Sequence, residues 1–529
     1  MNDPETNKEE TLPETEEKEK QSEEILSEDD NINPKYSKGS TTFLGAFLQI
    51  GNTILGAGII SLPVVFRYLG FILGFVFIAL ISILTIYSSY LLLKAHQITK
   101  KNKYLTISHA SMGDKGYIFT NIMIILNNFG LCCVYFRIVA DTLQNIIGGY
   151  VSKENFFVTN WHNFIFIILI LIIMCFVIWT KDFKKFEKTS FLGMAGIIIY
   201  FIVLIILFFY KISKGFKPYH SLGAYFISGK FTDILISLPS VFLSFSFQFN
   251  LFPIYTGLIN RTHKEMLNVT KASIIFCFIL YVFSGIIGFL IYGDSLNDTI
   301  LNAFLVEILE EKNDKAIRIL LIIANIGFLI CASTSIPLVY YTLKQNFFST
   351  YKFILKHKIK KKIEMENEEE NNDIKEKEEN NEIKEKEEKE EKEDTNTVVM
   401  ENNVTNYEET ERSPSFGSID IKEESDSDNI NIKKIKVNIT KNEEIIISIL
   451  LYLIIGCVTI LIPKLKSMFN LVGCTAANCI QFIIPCLMVI CLKDKAEKLI
   501  NLLFVKILLG FGIISLVICL IAEIVHNFL

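Results

Sequence analysis

The sequence predicts an all-α polytopic membrane protein with eleven transmembrane helices, and three observations carry that prediction. First, the chain is 51% hydrophobic yet 21% charged, with a mean hydropathy of +0.39. Those figures agree only if the charges are segregated. They are: residues 1–40 and 353–443 are dense in Glu, Lys, Asp and Asn, and the remainder is apolar. Second, that remainder forms eleven apolar segments, at 42–69, 71–98, 117–149, 163–180, 189–210, 233–256, 268–293, 316–343, 444–463, 468–492 and 500–527. A helix needs roughly 20 apolar residues to cross a bilayer, which each segment reaches or approaches. Third, the first and sixth segments are interrupted, five helices apart. That is the pattern of two inverted five-helix repeats with a site between them, followed here by one extra helix. The ten-residue alternation of a membrane β-barrel is absent.

Taken along the chain, residues 1–40 read as a disordered acidic tail. They lack the basic-then-apolar order of a signal peptide, so the first span is expected to act as its own insertion signal. Placing this tail in the cytosol puts fourteen Lys and Arg residues in the short inward loops, from Lys94 to Lys498, against ten outside; Lys344–Lys362 adds seven more inside. The positive-inside rule therefore favours a cytosolic N-terminus. Residues 41–352 then hold helices one to eight and 444–529 hold helices nine to eleven. The intervening 353–443 carries a tandem nine-residue repeat, 371–379 followed by 380–388. It has too few apolar residues to bury a core, and is expected to be a disordered or helical Glu/Lys tether in the cytosol. Ser425 and Ser427, set among acidic residues, make it a candidate docking place for cytosolic regulators. Of the glycosylation sequons, Asn260, Asn268, Asn403 and Asn438 fall inside in this topology and Asn297 outside.

Span one contains Asn52-Thr-Ile-Leu-Gly-Ala-Gly-Ile-Ile-Ser-Leu-Pro63. Gly56 and Gly58 are expected to break the helix at membrane depth, where irregular backbone is tolerated only beside protein or a polar cavity. A broken helix exposes carbonyls on one side and N–H groups on the other. The first can ligate a cation and the second a carboxylate, so Gly56, Ala57 and Gly58 are candidate substrate contacts and Asn52 a candidate cation ligand. A small-residue packing face is the competing reading. In span three, Arg137 and Asp141 stand four apart and read as a local ion pair near the outward end. Asn127 and Asn128 precede them.

Span six sets Ser244, Ser246, Gln248 and Asn250 alternately with Phe245, Phe247 and Phe249, between Pro239 and Pro253. The alternation suits unwound backbone lining a cavity, making Ser244, Phe245, Ser246 and Gln248 substrate candidates; a Pro-kinked packed helix is the alternative. Span eight offers Thr334 and Ser335, which could ligate sodium or bond back to their own helix. Glu523 and His526, near the outer end of span eleven, are expected to snorkel. All eleven cysteines lie in predicted spans, so no extramembrane disulfide framework or zinc site is expected. No nucleophile–base pair is visible, and a nucleic-acid partner is not expected.

Several of these motifs carry a resemblance. Asn52-x-x-x-Gly56-Ala-Gly58 through Leu62-Pro63 resembles the first-helix signature of the amino acid/auxin permease family. Pro253-Ile-Tyr255 with Met266, Tyr281 with Gly288–Gly293, and Phe469–Thr475 with Phe482–Pro485 resemble its sixth, seventh and tenth helices. The closest branch is that of the sodium-coupled neutral amino acid transporters. The resemblance implies an eleven-helix LeuT-type fold, substrate between spans one and six, and a cation served by Asn52 and by Ser335 with Thr334 beside it. The branch often carries Cys-His where this chain has Phe247 and Gln248. The Asn/Lys/Glu bias of the insertion resembles proteins of AT-rich protist genomes, such as apicomplexan parasites. The expectation is a secondary active amino acid transporter working by alternating access. It needs no cofactor beyond a sodium ion or proton, and would sit in the lipid bilayer of the plasma membrane or a vacuolar or lysosome-like membrane. An exporter from an acidic organelle and a transporter-like nutrient receptor are the alternatives.

Overall fold

Backbone breaks, more than helix count, determine how this chain is arranged. The computed structural model describes residues 39–150, 186–215, 231–296, 298–310, 314–391, 418–423, 433–438, 441–462, 464–493 and 501–528. The chain divides into two units: residues 1–347 with 448–529, and residues 348–447.

The first unit is helical. In order, it holds α1 (Phe43–Gly58), α2 (Leu62–Thr99), α3 (Tyr104–Gly148), α4 (Phe186–Ser213) and α5 (Phe231–Ser244). There follow a 3₁₀ turn (Gln248–Asn250), α6 (Leu251–Gly257), α7 (His263–Tyr292), α8 (Ile300–Glu310) and the start of α9 (Lys315–Glu391). After α10 (Lys441–Leu461) come α11 (Leu465–Val472), α12 (Ile484–Cys491) and α13 (Leu502–Phe528). Nine helical stretches among the described residues are long and apolar enough to cross a membrane, and Phe43–Gly56 is a shorter apolar helix. The nine correspond to the expected spans two, three and five to eleven. The fourth expected span, 163–180, with Cys175, lies outside the described residues, as do residues 1–38, Asn297, Asn403, Ser425 and Ser427.

The first span is split. Its second half is the start of α2, which runs into span two through a bend at Gly70 (φ 75°, ψ 179°). That left-handed φ is accessible to glycine without a Cβ clash, so the chain reverses there with no intervening loop.

The packing is the reverse of a water-soluble globule. Ile83, Phe191, Leu453 and Ile514 are exposed, while Asn52, Asn127, Asn128, Gln248, Asn478 and Gln481 are almost fully buried. An apolar surface around a polar interior suits a lipid solvent.

Span ten is continuous but underwound in places. Gly473–Ala477 and Cys479–Ile483 are π-helical, between α11 and α12. The sequence gives no sign of this. The first segment meets α5 closely: a Cβ at Gly473 would collide with the Pro239 carbonyl of α5. Such π segments recur at functional sites.

The ends of the spans are pinned in two clusters. At the end where Phe43 lies, Thr41 pairs with the strand-like backbone after α6: Thr41 N donates to Gly257 O and Ile259 N to Thr41 O, both at 3.0 Å. There too His96 Nδ1 lies 2.9 Å from His263 Nε2. At the opposite end, α8 lies over the first break, as described below.

The second unit continues α9 as helical backbone through the repeat at 371–388. It also contains an antiparallel pair, β1 (Ser418–Glu423) and β2 (Lys433–Asn438). Its register sets Asp420 opposite Lys436 and Glu423 opposite Lys433, an opposite-charge pattern that favours pairing. The hairpin is an element the sequence did not suggest.

Candidate functional site

Two interrupted helices meet in the centre of the first unit. In span one the helix persists through Gly58, and the break falls at Ile59–Ser61, not at Gly56–Gly58 as expected. Pro63 explains the shift: lacking an N–H, it cannot donate back to the Ile59 carbonyl four residues earlier. Ser61 closes the turn, its N and Oγ donating to Gly58 O at 3.1 Å and 2.9 Å. In span six, α5 ends at Ser244 and Phe245–Phe247 are non-helical. Gln248 Oε1 accepts the Phe247 N–H at 3.0 Å, so this side chain caps its own break.

Tyr281 of α7 links the two. Its hydroxyl lies 2.5 Å from Ile54 O and 2.9 Å from Ser244 O, one donor shared between the broken helices. The Phe245 ring packs edge-on against it, centroids 5.1 Å apart. The glycines have a packing duty. A Cβ at Gly58 would strike the Tyr281 hydroxyl and Ser244, and one at Gly56 the Tyr135 hydroxyl. Gly56 and Gly58 thus admit two tyrosines to the break, while Gly56 O also accepts the Cys331 thiol at 3.8 Å. The side chain of Ala57 lies outside the described set.

The substrate candidates of span six are therefore together at the break. Ser246 Oγ, Gln248 Nε2 and Asn250 Oδ1 are buried, with no hydrogen-bond partner. Buried polar groups in this state are costly unless a ligand or water completes them. Ser244 Oγ instead bonds to Ser240 O at 2.7 Å.

The cation candidates divide. Asn52 Oδ1 is buried without a partner. It shares the bare Cα of Gly193 in α4 with Thr334 Oγ1: a Cβ there would lie 2.5 Å from the first and 2.8 Å from the second. Thr334 donates to Ile330 O and Cys331 O, both at 2.9 Å, which leaves its oxygen lone pairs available. Ser335 donates to Cys331 O at 2.8 Å and is not among the atoms nearest Gly193. A neutral oxygen set suits a hard monovalent cation. Among the described residues no cluster of His, Cys, Asp and Glu could hold a transition metal.

Above the first break sits α8. Ile300 N donates to Ile60 O at 3.2 Å, directly onto the broken backbone. Arg67 of α2 donates to Leu296 O. Asp298 accepts N–H groups from Leu465 (3.2 Å) and Lys466 (2.8 Å), fastening the segment to the start of α11. Glu307 pairs with Lys211 at 2.5 Å and accepts the Tyr292 hydroxyl at 2.6 Å. Beneath this lid is a cavity of about 10 Å³, lined by residues including Ser61, Tyr68, Ser237, Ser240, Asp298 and Lys466. That is room for about one water. The lid segment thus bonds to the first break at one end, while the Thr41 bridge ties the start of span one to the end of span six at the other.

Sequence reasoning did not find the lid. In the sequence Asp298 is conspicuous only as the middle residue of the Asn297 sequon. The Arg137–Asp141 pair is present at 3.0 Å, with Asp141 buried. Glu523 does not snorkel: it is buried and accepts from Asn470 Nδ2 at 2.7 Å. Its position near a helix end suggested water, but α11 covers it. The side chain of His526 lies outside the described set.

The profile of the family described as "Transmembrane amino acid transporter protein" matches residues 39–526. Among curated proteins, amino acid transporter AVT6E of Arabidopsis thaliana is 23% identical over 321 residues, 59% of this chain and 64% of that protein. Sodium-coupled neutral amino acid transporter 7 of Danio rerio is 24% identical over 313 residues, 58% of this chain and 64% of that protein. The matched regions span a little under two thirds of these relatives. Among solved structures, MhsT in complex with L-phenylalanine aligns over 91% of this chain and 98% of its own, with a TM-score of 0.53 and 11% identity. Mhp1, a nucleobase-cation-symport-1 family transporter, aligns over 93% of each chain, with a TM-score of 0.50 and 10% identity. Likenesses at this identity establish the shared fold.

Proposed function

Given that the chain belongs to the transmembrane amino acid transporter protein family, we propose that it is a secondary active transporter that moves an amino acid by alternating access. The carrying observation is the pair of facing breaks, held together by one tyrosine hydroxyl and surrounded by unpartnered buried polar atoms. The substrate carboxylate would meet the N-terminal end of α2 after the Ile59–Ser61 turn, where the helix dipole is positive. Ser246, Gln248 and Asn250 would receive its other polar groups. Gln248 cannot titrate, so pH sensitivity from that position is not expected.

Coupling would come from a cation at Asn52 and Thr334, with Ser335 behind them. Support for sodium is the neutral oxygen set, together with a relative whose name is sodium-coupled neutral amino acid transporter 7. When bound, the cation supplies charge near the helix end; the residues supply lone pairs and exclude water. A cytosolic N-terminus and a plasma, vacuolar or lysosome-like membrane complete the reading, with the acidic insertion as a place for cytosolic regulators.

The test is uptake of labelled amino acids into liposomes containing the purified full-length protein. Imposed sodium and proton gradients are varied separately. Accumulation driven by either gradient supports the reading, and the driving gradient names the ion. Binding without uptake under both gradients refutes it in favour of a receptor.

A further inference from the structure

Span ten reaches the span-six break through one side chain. Gln481 lies in the second π-helical stretch, Cys479–Ile483, and is fully buried. A π turn closes over one more residue than an α turn, so it sets a side chain outside the regular phase of its helix. Hydroxyls from two other spans hold this stretch by its backbone. Ser88 of α2 donates to Gln481 O, and Tyr104 of α3 donates to Ile480 O at 2.9 Å. The amide has its own contacts. Gln481 Nε2 donates to Thr85 Oγ1 of α2 at 2.5 Å and, at 3.5 Å, to the Phe245 carbonyl in the non-helical run of span six.

These contacts fix which way the amide faces. Thr85 donates its only hydroxyl hydrogen to Ile81 O at 2.6 Å, so it offers Gln481 lone pairs alone. The Phe245 carbonyl is likewise an acceptor. An amide turned over would set its oxygen against both. With both Nε2 hydrogens placed, Gln481 Oε1 stands one amide's width from the break, buried and without a hydrogen-bond partner. Near it, Ser246 Oγ, Gln248 Nε2 and Asn250 Oδ1 are in the same state. Two of these four atoms can only accept and one can only donate, so a ligand that brings hydrogens completes the set. Backbone at the two breaks serves the groups that every amino acid shares. An acceptor on a third helix is left for the part that differs, the side chain.

We infer that Gln481 is a specificity-determining residue whose Oε1, oriented by Thr85, accepts a hydrogen bond from the ligand side chain. The inference rests on the transport reading above and names what that site selects: an uncharged side chain with an N–H or O–H donor over an apolar one of the same size. A buried acceptor rejects the apolar analogue because the acceptor is then left unpaired. An amide in place of a carboxylate gives a cationic side chain no counter-charge there.

The experiment measures dissociation constants by calorimetry on the purified full-length protein for two size-matched pairs, glutamine with methionine and asparagine with leucine. The wild type should bind the carboxamide member of each pair about tenfold more tightly, the effect of one buried hydrogen bond. Gln481→Met should bring that ratio close to one. Thr85→Val keeps the shape but removes the acceptor that orients the amide; it should lower the ratio although Gln481 is present, and Thr85→Ser should restore it. A Gln481 that only staples span ten to span two would weaken both members of a pair alike. A ratio unchanged in Gln481→Met therefore overturns the inference, as does a wild type that prefers the apolar members. A ratio unchanged in Thr85→Val overturns the orienting role. Uptake of the same amino acids into proteoliposomes tests the underlying reading separately: the expected binding ratios without uptake under either gradient refute transport alone. A protein that binds none of the four overturns the inference, whatever else it carries.

Discussion

Asn52 shows what one residue can disclose. A buried amide with an unsatisfied carbonyl oxygen, two turns before a helix break, is a lone pair free to meet a cation. Its place was legible because a polar residue within an apolar run is conspicuous, and its service to a cation is what the sodium titration below tests. The choice between Thr334 and Ser335 was not legible, because helix phase decides which hydroxyl reaches the Gly193 surface, and neighbours in sequence differ by about a quarter turn. Glu523 was misread for a related reason: proximity to a span end does not reveal whether another helix covers it. Asn52→Ala should raise the sodium concentration for half-maximal uptake about tenfold, the order expected when one charge-assisted contact is lost. Thr334→Ala should act in the same direction. Sodium titrations of uptake, with protein amounts matched, check both; an unchanged sodium dependence in Asn52→Ala removes it from the site.

The helix is the scale at which expectation and structure compare most closely. The span-six break was readable from Pro239, Pro253 and the alternation of Ser, Gln and Asn with Phe, and it falls at Phe245–Phe247. The span-one break falls one to three residues after the glycine pair that marks it in the sequence, because the missing donor of Pro63 fixes the turn. The π segments of span ten and the lid α8 were not readable. Both meet the rest of the fold through contacts remote in sequence, at Pro239 and at Ile60. The lid carries a testable cost. Glu307→Ala removes the carboxylate facing the half-buried Lys211 ammonium, and leaving such a charge without its partner costs about 1–3 kcal/mol. The thermal midpoint of the purified protein should fall, and Lys211→Met combined with Glu307→Leu should recover most of the loss. A midpoint unaffected by Glu307→Ala would show that the pair does not secure the lid.

For the whole molecule, composition sufficed to predict a helical membrane protein, since a bilayer leaves few ways to satisfy backbone polar groups. Inverted repeats were legible from two breaks at corresponding places. Side-to-side orientation rests on loop charge alone, and glycan mapping tests it. Asn297 should carry a glycan in a eukaryotic host and Asn403 none, read as mobility shifts lost in Asn297→Gln; modification at Asn403 would invert the topology. The central claim is that substrate binds between the two breaks. Ser246→Cys places a thiol in the span-six break, where the native hydroxyl has no partner. Its alkylation should be slowed by whichever amino acid the wild type takes up, while a cysteine at the exposed Tyr150 is not protected. Alkylation of Ser246→Cys at an unchanged rate in saturating transported substrate would contradict the site.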